Sequence, residues 1–212
     1  MNFDSDLIAH KLRRWEKYLR GFTLPAWDEL PKLDLYMDQV IALLNDYLDF
    51  FPMLENGDRV VTATAINNYV RLKVMPAPVK KKYSRIHIAY LIMICSLKQV
   101  FAISYVQKII PMGLSEREVK TVYNDYVKKH REVGLYFIEQ VRNAAGPILG
   151  HEPAGINDGS NLTIMVAVAA EFSVLLAQKL LNLQGVDYNT GMKQEEEARL
   201  KKEQEELSEE TE

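Results

Sequence analysis

Thr62-Ala63-Thr64-Ala65-Ile66-Asn67-Asn68-Tyr69-Val70-Arg71-Leu72-Lys73-Val74-Met75-Pro76 carries the pattern of a short helix with two unlike sides. The spacing predicts a helix from Ala63 to about Lys73, capped by Thr62 and stopped by Pro76 and Pro78. At about 100° per residue, Ile66, Tyr69 and Val70 fall on one side. Thr64, Asn67, Asn68 and Arg71 fall on the other. Asn pairs bidentately with adenine and Arg with guanine through major-groove edges. The front of this short helix is therefore a candidate base-reading surface. The plainer reading of the same residues is the solvated side of an amphipathic helix.

The surroundings favour an anionic partner. The chain has 212 residues and a net charge of -3, yet residues 59–115 hold no acid and nine bases. These are Arg59, Arg71, Lys73, Lys80, Lys81, Lys82, Arg85, Lys98 and Lys108. Residues 1–58 hold 11 acids against 6 bases, and residues 193–212 hold 9 against 4. A basic island in an acidic chain attracts polyanions. Lys80-Lys81-Lys82 forms a turn just past the helix, where a wing would touch phosphates. Arg85 sits at the start of the next helix, where a cation opposes the helix dipole unless an anion is near.

On either side of this segment, helices are predicted from Asp6 to Arg20, from an Asp34 cap to about Asp49, from a Ser84 cap to about Val100, and from Ser104 to Ile110. Phe22 to Leu33 reads as an extended strap on the core. Residues 88–95 are apolar all round, which calls for burial on several sides. Phe51-Pro52 and Asn56-Gly57-Asp58 mark a loop. Ser115-Glu116-Arg117-Glu118 is a capping box that opens a long helix to about Ala145. Tyr123, Tyr126, His130, Val133 and Phe137 repeat along it as a heptad-like seam. Gly146-Pro147 closes it, and residues 146–161 read as a loop.

Leu162 to Gln184 is a strongly apolar helix. Its length would suit a membrane, but Glu171 at its centre costs about 2.5–3.5 kcal/mol there. A buried helix, or one half of a subunit interface, is the reading taken; no membrane association is expected. Its stripe of Leu162, Met165, Val166, Ala169, Phe172, Leu176, Leu180 and Leu183 needs a cover, from the Ser115 helix or from a twofold partner. Residues 193–212 read as an acidic tail, disordered or a frayed single helix. The domain division is 1–33 for the first helix and strap, 34–112 for the reader region, 113–185 for a helical dimerisation or sensing part, and 186–212 for the tail.

Several function classes recede. Cys95 alone gives no internal disulfide and no thiolate zinc site, and such usage suits a reducing cytoplasm. Met1-Asn2-Phe3-Asp4 does not open a signal peptide. His10, His87, His130 and His151 include no i, i+4 pair, so no metal site is expected, and the His151-Glu152 pair reads as a polar loop. Nucleophile-elbow, Walker and dinucleotide-fingerprint motifs are missing, so neither catalysis nor a cofactor is expected.

The reader stretch resembles that of the MerR-type winged helix-turn-helix regulators, through Ile66, Tyr69, the apolar pair Val74-Met75, and Pro76. Lys81-Lys82-Tyr83-Ser84 resembles the close of their wing, and Leu97 to Ile110 their following helix pair. Lys73 stands where that family has glycine, and Asn67 where it has arginine. The helix connection here is longer and the wing shorter. Leu24-Pro25-Ala26-Trp27-Asp28-Glu29-Leu30-Pro31, Leu35 to Val40 and Ile66 to Val70 resemble an uncharacterised bacterial domain-of-unknown-function family with such a reader region.

The resemblance implies a mainly α fold: a MerR-like winged helix-turn-helix with an added N-terminal helix and strap and a C-terminal helical hairpin. It implies a cytoplasmic transcription regulator that binds double-stranded DNA as a homodimer. The DNA-binding residues would be Thr64, Asn67, Asn68, Arg71, Lys73, Lys80, Lys81, Lys82 and Arg85. The alternative is an all-helical interaction module whose basic island docks an acidic partner without DNA.

Overall fold

A computed structural model describes residues 4–51, 61–150 and 158–209. Among them are nine α-helices and no strand, only two isolated bridges. The mainly α reading therefore stands. The loop signal at Asn56-Gly57-Asp58 and the His151-Glu152 pair lie outside the described residues. The chain divides into two compact units, residues 1–171 and 172–212.

The first unit is built around α4 (Arg85–Leu97). Every residue from His87 to Ser96 is buried, as its apolar circumference requires. It packs against α2 (Met37–Tyr47) and the first half of α6 (Glu116–Ala144). Alpha-helix α1 (Ser5–Gly21) and the short α7 (Gly146–Leu149) lie against the other half of α6. The strap joining α1 to α2 buries Leu24, Trp27 and Leu30. Its path is fixed by α6: Tyr123 donates its hydroxyl to the Pro25 carbonyl at 2.7 Å, and Asn124 accepts from the Trp27 amide at 3.0 Å. Trp27 meets Tyr123 edge-on at 6.3 Å.

Arg131 of α6 closes the end of α1. Its Nη1 donates to the carbonyls of Leu19 and Phe22, both at 2.8 Å, and Nη2 donates to that of Arg20. One guanidinium thus satisfies carbonyls that a helix C-terminus leaves free, and its charge suits the dipole there.

Several boundaries differ from expectation. Helix α2 is capped at Tyr36, whose amide donates to Gln39 Oε1 at 2.9 Å, and not at Asp34. The reason is tertiary: Leu35 pairs with Tyr83 and stays extended. Helix α4 ends at Leu97, short of Val100. Gly146 does not begin a loop, because Pro147 suits a first helical turn and α7 forms. The seam on α6 is buried only in part: Tyr123 is enclosed and His130 half-buried, whereas Val133 is exposed.

Helix α8 (Asp158–Asn182) spans the boundary between the units. None of its apolar window is buried, so the reading of a helix buried in its own chain is corrected. Met165, Phe172, Leu176, Leu180 and Leu183 are all exposed. It is long and apolar enough to cross a membrane by length and composition. In the second unit Gly185 turns the chain at φ 81°, a left-handed conformation that glycine adopts without strain. Asp187 then accepts from the amides of Asn189 and Thr190, both at 3.1 Å. The acidic segment that follows is helical, α9 (Tyr188–Glu209).

Candidate nucleic-acid interface

The predicted reader forms α3 (Ala63–Arg71), followed through the chain by α5 (Ile103–Ile109) beyond α4. Thr62 caps α3, its hydroxyl accepting from the Ala65 amide at 3.2 Å. Ile66 and Tyr69 are buried, as the wheel requires. Thr64, Asn67 and Arg71 are exposed and Asn68 is half-buried. Arg71 Nη2 donates to Asn68 Oδ1 at 2.7 Å. The two side chains therefore act as one unit, with the Arg71 fork braced before any ligand arrives.

The helix ends in a Schellman motif. The Val74 amide reaches the Tyr69 carbonyl and the Lys73 amide reaches that of Val70, both at 3.0 Å. The residue at the turn is Lys73, at φ 55°. Glycine is the usual occupant of that position, because a Cβ is strained there.

The same conformation recurs in the turn. Val79 and Lys82 exchange both backbone hydrogen bonds, at 3.1 and 2.9 Å. Between them Lys80 and Lys81 stand at φ 50° and 62°. Positive φ at both central residues is the pattern of a type I′ hairpin, where Asn-Gly is preferred. This smallest possible hairpin points two exposed lysines away from the chain. Lys73, Lys80 and Lys81 are the non-glycine residues with positive φ among those described. All three belong to the acid-free island. Strain of about 1–3 kcal/mol per residue persists where function or packing holds it.

Packing anchors the hairpin from behind. Leu35 and Tyr83 exchange backbone hydrogen bonds at 2.9 and 2.8 Å. His87 ties the loop to α4: Nδ1 accepts from the Ser84 amide at 3.0 Å, and Nε2 donates to the Ala77 carbonyl at 3.1 Å. This bond pattern assigns the proton to Nε2. Sequence reasoning left His87 without a role; its only local signal is its place three residues after Ser84.

The remaining basic residues divide. Lys82 lies over the Tyr36 ring at 5.2 Å, half-buried. Arg85 turns toward the strap: it donates to the Leu30 carbonyl at 3.2 Å and its guanidinium lies 5.5 Å from the Trp27 ring. Its buried Nε has no acceptor among the described residues. Lys98 reaches the Phe101 carbonyl at 3.5 Å, and Lys108 lies over the Tyr105 ring. The outward set is Thr64, Asn67, Arg71, Lys73, Lys80 and Lys81, with Asn68 behind Arg71.

Among the described residues no three His, Cys, Asp or Glu side chains gather for a metal. Cys95 is enclosed in α4, and burial pushes its thiol up to about 12.

Residues 25–127 match the family model described as Domain of unknown function (DUF1836). The match covers just under half of the chain. It begins in the strap, takes in α2 to α5, and ends within α6. Helix α3, the hairpin and every basic residue of the island lie inside it. Residues outside the matched span supply α1, the end of α6, and α7 to α9. No curated protein and no solved structure matches the chain.

Proposed function

We propose that this protein is a DNA-binding transcription regulator of the cytoplasm, acting as a homodimer through a MerR-like winged helix-turn-helix. On this reading α3 enters the major groove. Arg71 contacts a guanine edge, Thr64 and Asn67 contact neighbouring bases, and Asn68 holds Arg71 in place. Lys73, Lys80 and Lys81 contact phosphates and set the register. Lys82 and Arg85 support the hairpin and the strap more than they meet the duplex.

One observation carries the reading. The three strained left-handed residues of an acid-free segment are lysines, and two of them form the tip of an exposed hairpin. Folding alone would favour glycine or asparagine there. Lysines kept at that cost fit a polyanion backbone.

The dimer is supported by the uncovered apolar stripe of α8. The test is selection of bound fragments from random double-stranded DNA at two salt concentrations. An inverted repeat supports a sequence-specific dimer. Salt-sensitive binding without a motif leaves a non-specific binder. Absence of binding at low salt overturns the proposal in favour of a basic face that docks an acidic protein.

A further inference from the structure

The first helix carries a feature that DNA binding does not use. On α1, Leu7, Trp15 and Tyr18 are 56%, 40% and 42% exposed. They fall on one side of the helix, which faces Asp49 and Phe50 beyond the end of α2. Together they line a groove of about 780 Å³, within the usual size of small-molecule sites.

Two cations stand in that apolar groove, Lys11 and Arg14. Among the described residues neither is engaged by an acid. The acids of α1 lie elsewhere, with Glu16 bound to Arg20. The one carboxylate of the groove, Asp49, accepts the Tyr18 hydroxyl at 2.7 Å. Burial and this bond push the Tyr18 phenol up to about 12. Tyr18 therefore stays neutral, and the Asp49 carboxylate lies at the rim.

We propose that this groove binds an amphiphilic monoanion, an aliphatic or aromatic carboxylate. The apolar part lies along Leu7, Trp15 and Phe50, and the carboxylate meets Lys11 and Arg14. Two free cations next to an aromatic floor select a charged head over a neutral one. Asp49 at the rim sets a limit of one charge, which disfavours phosphate monoesters. The proposal stands apart from DNA binding and would survive its failure.

Trp15 reports the event directly. The chain has two tryptophans, and Trp27 is buried in the strap. The full-length protein is titrated with decanoate, decanol and decyl phosphate while tryptophan emission is followed. Decanoate is expected to bind about tenfold more tightly than decanol, a difference of about 1.4 kcal/mol, and more tightly than decyl phosphate.

Lys11→Met with Arg14→Met keeps the apolar stems and removes both charges. It should erase the preference for decanoate over decanol while leaving decanol affinity and the melting temperature unchanged. Equal binding of decanoate and decanol by the wild type overturns the proposal. So does tighter binding of decyl phosphate, or no spectral change up to millimolar decanoate. Retention of the preference in the double variant also overturns it, because the cations would then play no part.

Discussion

The backbones of Leu35 and Tyr83 exchange both of their hydrogen bonds, at 2.9 and 2.8 Å. This single pairing joins the residue before the α2 cap to the residue that follows the lysine hairpin. Leu35→Pro removes one of the two donors and should detach the hairpin. We expect a loss of about 1 kcal/mol or more in urea unfolding. In the wild type, hydrogen exchange should find the amides of Leu35 and Tyr83 protected to the same degree. Unequal protection would show that the two ends open separately.

The hairpin tip sets stability against function. Lys80→Asn with Lys81→Gly supplies the residues that a type I′ turn prefers. The double variant should gain about 1 kcal/mol or more in stability. If the tip touches phosphates, its DNA affinity should fall, and the slope of log affinity against log salt should flatten by about two units. A variant that is both more stable and binds DNA unchanged would remove the tip from the interface.

Arg71 and Lys81 should behave differently. Arg71→Ala is expected to cost about 1–3 kcal/mol on a selected site and to relax base preference. Asn68→Ala should give a smaller loss in the same direction, since it frees Arg71 without deleting it. Lys81→Ala should weaken all sequences alike and flatten the salt slope by about one unit. Competition binding with selected and scrambled duplexes separates these outcomes.

Ser115 caps α6, accepting from the Glu118 amide at 3.4 Å while Glu118 accepts from the Ser115 amide at 2.8 Å. Ser115→Ala should destabilise the fold by about 1 kcal/mol. Ser115→Thr should retain most of it. Thermal unfolding of the two variants is the measurement.

His130 sits among Phe22, Phe50 and Tyr126. Its burial holds the imidazole below its ordinary 6.5. The unfolded chain therefore takes up a proton at a pH where the folded chain does not. Stability is full above about 6.5 and falls as pH drops through that value toward the folded one. His130→Phe should flatten the dependence between pH 7 and pH 5, read from urea midpoints at about those two values. An unchanged slope would assign the acid sensitivity to other groups.

Local chemistry was legible in the sequence, and distant pairing was not. Thr62, Ser84 and Ser115 start their helices as expected, because a cap acts within three residues of itself. The burial of α4 followed from its apolar circumference. Asp34 misled because Leu35 is held extended by Tyr83, far along the chain. Arg131 closes α1 across 112 residues, and no local pattern announces that.

For the candidate site, the wheel separated the front of α3 from its back. It could not show that Asn68 is occupied by Arg71, or that Arg85 turns to Leu30 and Trp27. The backbone at Lys80 and Lys81 was also out of reach, since lysine carries no turn signal. The α6 seam kept its period through Val133, but period alone cannot say where the covering helix stops.

The enclosure of Cys95 has a practical consequence. Its thiol is both inaccessible and protonated at neutral pH, so alkylating dyes should leave the folded native chain unmarked. A cysteine placed at Lys81 or Trp15 would then take up a label alone, without first removing the native thiol. The protein is in effect its own blank for fluorescence and spin-label distance measurements.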